Sequence, residues 1–195
     1  MAADMMMNKG TFERSIKICI RDILYSDYTI RFLRLMRKVD YYSNDTSLWG
    51  GVLRVWYSTL YKSMSLRMGF YIGPQCFGYG LVIPHPGTIV VGESNRIGNY
   101  AVLNTSTCIS GNGKVIGDAL YLAAGAMITS KVVLGDNISI GANSVVNKDF
   151  KDGNVMIAGA PARIIKNSEP WYIRDGETFY NRVKAVEDLK FLLKI

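Results

Sequence analysis

One histidine stands among the 195 residues, His85, and it stands between two prolines in "IPHPGTIVVGE", residues 83–93. Imidazole titrates near neutral pH, so it can accept and return a proton in the course of a reaction. Proline fixes its own φ and drives the residue before it into extended conformation. Ile83 and His85 each precede a proline. The imidazole therefore rides on stiff, extended backbone, where it either fills a turn or is aimed. Other residues suited to covalent or metal chemistry are sparse. Cys19, Cys76 and Cys108 are odd in number and lack CxxC spacing, which indicates neither a disulfide framework nor a zinc site. A metal held by three histidines is ruled out by the same count.

The chain has the length of one domain with appendages, enough to bury a sizeable core. At 49% hydrophobic and 20% charged, its composition is that of a soluble globular protein. No apolar run approaches the ~18 residues of a membrane span. The opening "MAADMMMNKG" lacks the charged-then-apolar order of a signal peptide, and the expected location is the cytoplasm. A net charge of +7 suits an anionic ligand or surface. No helix-turn-helix or aromatic-basic module recommends nucleic acid.

Three regions follow one another: 1–69, 70–166 and 167–195. The first reads as helical over 11–68. Phe12, Ile16, Cys19 and Ile23 make one stripe at three- and four-residue steps, and Leu48, Val52, Trp56, Leu60 and Met64 make a second after the capping-rich "SNDTS". Between them Arg31, Arg34, Arg37 and Lys38 share much of one face. That face is read first as solvated; peripheral contact with anionic lipid headgroups at the inner membrane surface is the alternative.

From Ile72 the character changes. Apolar residues return every six positions, as Val91, Ile97, Leu103 and Ile109. After a one-residue slip the series resumes as Ile116, Leu122, Ile128, Leu134, Ile140 and Val146. A period of six fits neither helix nor hairpin; it fits a parallel β-helix of short strands and sharp corners. Three six-residue sides close a coil of 18, each side pointing one apolar residue inward, with a small residue at or near each corner. The predicted fold is thus mainly β, with an N-terminal helical region. At the C-terminus, Phe179, Val183, Val186, Leu189 and Leu193 predict a helix that covers the last coil or a neighbouring subunit.

The segments "PHPGTIVVGES", "IGANSVV" and "AGAPARIIK" resemble the hexapeptide-repeat acyltransferases. Within them the likeness is to the serine O-acetyltransferase branch, whose histidine-centred segment reads "DHATGIVVGET". The resemblance covers 70–166 and reaches the N-terminal helices only loosely. It implies a left-handed parallel β-helix, a homotrimer with sites between subunits, acetyl-CoA as donor, no metal and a hydroxyl as acceptor. His85 aligns with the catalytic histidine, a general base for the hydroxyl. Glu93 matches a motif glutamate that would orient it. Ala124 and Ala142, 18 residues apart, match positions whose backbone contacts the pantetheine arm of CoA. Arg163 and Lys166 would meet its phosphates. As small corner residues and exposed bases, these four have equally ordinary structural readings.

The departures bear on the acceptor. Pro84 stands where the branch keeps a substrate-binding aspartate, Phe70 where it keeps an aspartate orienting the base, and "STCISGNGKVIG" replaces a loop with a second histidine. A neutral sugar hydroxyl in surface or capsular polysaccharide biosynthesis is therefore the expected acceptor. Serine O-acetylation in cysteine biosynthesis is one alternative. Two further readings are an acyl-enzyme on Cys108 and a non-catalytic β-helix scaffold.

Overall fold

The computed structural model describes residues 1–12, 27–111 and 113–193. Strands β1 (Phe70–Ile72), β2 (Ile89–Val91), β5 (Thr107–Ile109), β8 (Met127–Ile128) and β11 (Val145–Val146) stack in that order as the first face of a solenoid. The second face stacks β3 (Arg96–Ile97), β6 (Val115–Ile116) and β9 (Val133–Leu134). The third stacks β4 (Val102–Leu103), β7 (Tyr121–Leu122), β10 (Ser139–Ile140) and β12 (Val155–Gly159). All these pairings are parallel; β13 (Ala162–Asn167) turns back antiparallel on β12 and ends the third face.

Every member of the six-residue series, from Val91 to Val146, is buried in the solenoid interior. A coil cannot cover its own apolar face, so the stack is the stabilising unit. Each buried Val, Leu or Ile contributes about 1.5–3 kcal/mol before the entropy of ordering is subtracted. The corner between second and third faces repeats one device. Gly80, Tyr100, Ala119, Asn137 and Asn154 all have left-handed backbone there. Each of the last four donates its N–H to the coil before, as Tyr100 does to the Tyr79 carbonyl (2.8 Å) and Ala119 to that of Asn99 (2.7 Å). Those hydrogen bonds hold a conformation that costs a non-glycine residue about 1–3 kcal/mol.

The slip between Ile109 and Ile116 falls in a corner between first and second faces. Lys114 turns its side chain inward there, and its Nζ donates to the Ser110 and Gly111 carbonyls (2.7 and 2.5 Å) and to Ser110 Oγ (3.0 Å). The extra residue is absorbed outside the ladders, so both series keep facing the core.

Among the described residues three helices precede the solenoid: α1 (Ala2–Lys9), α2 (Tyr28–Ser43) and α3 (Leu48–Met68). Asp27 and Ser47 cap α2 and α3, their side chains accepting from Ile30 N (3.0 Å) and Gly50 N (2.9 Å). Gly69, left-handed, ends α3. Phe32 packs on Tyr61 and edge-on against Phe70, joining the helices to the first coil. The short α1 carries no stripe that the sequence reading used. Of the first predicted stripe, Ile16, Cys19 and Ile23 lie outside the described residues. The second stripe is helical but faces outward: Leu48, Val52, Trp56 and Leu60 are exposed, and α3 buries Gly50, Tyr61, Ser65 and Met68 instead.

At the other end, α4 (Trp171–Arg174) and α5 (Glu177–Leu193) do not cover the last coil, one of the two placements expected of the tail, the other being against a neighbouring subunit. They run back along the outside of the third face. Trp171, Val183 and Val186 bury Val82, Tyr100, Val102 and Ala119 of the earlier coils together with Met7 of α1. Of the tail stripe Val183 and Val186 are buried, Phe179 and Leu189 are half-buried, and Leu193 is exposed.

Candidate active site

His85 lies at the corner between third and first faces, on the first coil. Eight residue steps separate Val82 from Val90, whereas six separate their register partners Val102 and Cys108. The two extra residues push the corner outward, and Pro84, His85 and Pro86 are all exposed. The bulge is tied at both ends. Before it, Asn8 of α1 donates to the Leu81 carbonyl (2.8 Å) and accepts from Ile83 N (3.3 Å), while Asp4 accepts from Leu81 N (3.0 Å). After it, Gly87 has φ +145°, and a Cβ there would fall 2.2 Å from Thr105 Oγ1 of the coil below. Only glycine lets the loop close down so tightly. The imidazole is thus presented on anchored backbone. Asn8, Gly87 and Thr105 are supports that the sequence reading missed; the "PHPG" run signalled a turn at Gly87, and nothing in "MMMNKG" signalled Asn8.

Ala124 and Ala142 occupy the same corner, two and three coils further on. Both are exposed. Their carbonyls are engaged, Ala124 O by Asn143 N (3.0 Å) and Ala142 O by Ser144 Oγ (3.5 Å). Among the described residues neither N–H donates to a protein acceptor, which leaves both for a ligand carbonyl. Arg163 extends the line. It pairs with Ala158, whose Cβ would lie 3.0 Å from a Cβ built on Gly141, so it stands beside this corner on β13, two strand spacings beyond the coil of Ala142. At ~4.8 Å per strand spacing, the edge from His85 to Arg163 runs roughly 24 Å. Such an edge suits a long, thin ligand with its reactive group at one end and an anionic group at the other.

The other proposed residues lie off this line. Lys166 pairs with Met156, roughly 7 Å further along the hairpin. Glu93 is exposed at the opposite edge of the first face, beyond β2 and roughly 13 Å of strand from the His85 corner. Within one chain Glu93 therefore does not orient His85. Phe70 is a core residue packed on Phe32. Cys108 sits half-buried on the outward side of the first face, not at the corner.

A recess of about 190 Å³ adjoins Pro84. Asn8, Lys9, Asp27, Thr29 and Arg182 supply its polar wall. Burial works to raise the Asp27 carboxyl, but hydrogen bonds from Lys9 and the Ile30 N–H outweigh it and hold the group below the usual carboxylate range. Asp27 thus stays an anion, ion-paired with Lys9, while Arg182 donates to the Met7 carbonyl (2.6 Å).

No family model matches the chain. A serine acetyltransferase of Staphylococcus aureus is 30% identical over 132 residues, 64% of this chain and 58% of that protein. The serine acetyltransferase of Staphylococcus xylosus is 33% identical over 129 residues, 63% and 56% respectively. The chain is a homologue of the serine acetyltransferases. It carries their hexapeptide-repeat solenoid, yet spans a little over half the length of these curated relatives. Among solved structures, a serine acetyltransferase in complex with CoA matches with a TM-score of 0.64 at 25% identity, covering 84% of this chain and 67% of the other. Serine acetyltransferase from Neisseria gonorrhoeae shares the fold, with a TM-score of 0.62 at 24% identity, covering 85% and 66%. These relatives are serine acetyltransferases, not polysaccharide sugar acetyltransferases, which counts against the sugar acceptor expected from the lost residues.

Proposed function

We propose that the protein transfers an acetyl group from acetyl-CoA to a hydroxyl, with L-serine as the acceptor. The observation that carries this reading is the open edge between third and first faces, which starts at His85, passes the free N–H groups of Ala124 and Ala142, and ends at Arg163. His85 removes the hydroxyl proton as the oxygen attacks the thioester carbonyl carbon. The carbon–sulfur bond then breaks, and the proton passes from the imidazolium to the departing thiolate. A thiolate leaves readily, so no strong acid is required.

Serine is favoured by the relatives and by the recess beside Pro84. Pro84 stands in place of the aspartate of the family motif, but Asp27 places a carboxylate on the wall of that recess, which Arg182 also lines. An amino acid carries both complementary charges. The second reading, a sugar hydroxyl, is favoured by Pro84 itself and by the lack of a second histidine.

Assembly of three copies belongs to the same reading. The outward column of the first face, in register, is Tyr71, Val90, Cys108, Met127 and Val145, without a charge. It borders the His85 edge, where a second subunit would complete the site.

Free thiol released from acetyl-CoA, with L-serine or a panel of sugars, tests the proposal. Saturable turnover with serine is expected, reduced by about two to four orders of magnitude in His85→Ala. Undiminished turnover in that variant would remove His85 from the chemistry. Turnover with a sugar and none with serine would reassign the acceptor. Calorimetry showing no acetyl-CoA binding would leave a scaffold.

A further inference from the structure

We infer that the α2–α3 pair is a docking surface for an anionic lipid bilayer, a role separate from the acetyl transfer. Along the outer face of α3, Leu48, Trp49, Val52, Val55, Trp56, Leu60 and Leu66 are exposed, Leu48 by 92%, Trp49 by 78% and Trp56 by 63%. At 100° per residue they share one stripe that runs most of the helix length. Two of the three tryptophans of the chain are on it. Lys62 borders the stripe and Arg67 falls on its C-terminal end. Tryptophan and leucine along one side of a helix, with bases at the margin, suit a helix that lies in the lipid interface. Among the described residues no helix is long and apolar enough to cross a membrane, so the surface lies on the bilayer.

Charge selects the occupant. Residues 28–68 hold seven bases (Arg31, Arg34, Arg37, Lys38, Arg54, Lys62, Arg67) and two acids (Asp40, Asp45), a balance of +5 out of the chain's +7. No acid occurs on α3 at all. A groove of about 830 Å³ between α1, α2 and α3 is lined by Arg31, Arg34, Arg37 and Lys38 above an apolar floor that includes Leu35 and Met64. Met64 follows Leu60 by one helical turn, so the groove opens beside the apolar stripe. Arg37 is committed inward, donating to Asp4 (2.8 Å) and to the Phe77 carbonyl (2.9 Å). Lys38 stands over the Tyr57 ring, 4.4 Å from its centre, at the side of α3. An apolar stripe flanked by excess positive charge complements acyl chains beneath phosphate headgroups. A second copy pressed against the same stripe would oppose +5 with +5, which like-charge repulsion disfavours.

Sedimentation with phosphatidylcholine vesicles, with and without phosphatidylglycerol, tests the inference. The protein is expected to bind the anionic vesicles at least roughly tenfold more tightly than the neutral ones, and less tightly as salt rises. Trp49→Glu/Trp56→Glu changes only exposed side chains and should weaken that binding by roughly tenfold or more. Lys62→Gln and Arg67→Gln should each weaken it roughly fivefold. Thiol release from acetyl-CoA, unchanged in these variants, shows that the fold is intact. Failure to bind anionic vesicles overturns the inference, as does equal binding by the tryptophan variant. A solution mass that falls in the tryptophan variant, without vesicle binding by either protein, would assign the face to a second copy instead.

Discussion

Two edges of the same solenoid have been put to opposite uses. The edge between second and third faces is closed. Trp171 Nε1 donates to the Tyr100 carbonyl (2.7 Å), and Glu187 accepts from the Tyr79 hydroxyl (2.9 Å) and from that of Tyr100. Asp118 accepts from Asn99 N and Asp136 from Asp118 N, both at 2.7 Å, so side chains bridge coil to coil. The edge between third and first faces is open. It is lined by His85, by two alanines with unclaimed N–H groups, and by Arg163. The repeat that builds both edges is the same. A corner becomes a site where the solenoid leaves backbone groups unsatisfied by its own side chains.

The largest effect should come from stripping the closed edge. Trp171→Ala removes a fully buried ring and its hydrogen bond, and should cost about 3–5 kcal/mol, read as a lower denaturant midpoint. Unchanged stability would mean that α4 and α5 merely lie on the third face. On the open edge the expected loss is in activity. Gly87→Val places a side chain against Thr105 and should displace His85, lowering turnover by roughly a hundredfold. The double variant with Thr105→Ala should recover part of the loss; no recovery would sever the proposed link between the two coils. Ala142→Leu, at an exposed corner, should raise KM for acetyl-CoA roughly tenfold at constant kcat. A fall in kcat alone would place the donor elsewhere.

The smallest effect is a dependence on pH. Burial works to raise the Glu187 carboxyl, but hydrogen bonds from Tyr100, Tyr79 and Lys190 leave it below its ordinary value. A carboxyl with a lowered folded pKa contributes stability that is present above the ordinary value and lost as pH falls through the lowered one. Because Glu187 is nearly half exposed, solvent screening keeps the contribution small. Trp171 fluorescence should report loosening of α5 in that acidic window, and Glu187→Gln should flatten the response. A response unaltered in Glu187→Gln would trace the loosening to another group.

Much of the solenoid was legible because inward positions in a stacked coil obey one rule, apolar every six residues, and the rule admits no partner outside the repeat. Ala124 and Ala142 were placed on one edge by the same arithmetic, whereas His85 and Arg163 were singled out by their motifs. Glu93 does not stand beside His85 within one chain, because eight positions of sequence separation conceal a whole solenoid face. Lys166 lies away from Arg163 for a similar reason, since a hairpin moves successive residues away from a corner. Asn8 and Asp27 reach the site from helices whose own sequence holds no trace of the solenoid. The second stripe, Leu48 to Met64, was rightly helical, but periodicity reports only that an apolar face exists. It does not say whether protein covers that face.

The parallel stack also makes the molecule a ruler. Each coil adds ~4.8 Å between the imidazole and the guanidinium of Arg163, so the span of the open edge is counted in whole turns. Excising one 18-residue turn from the middle would leave every remaining strand paired in register. The distance between the two ends would shorten by one graduation, and the protein would be matched to a shorter donor.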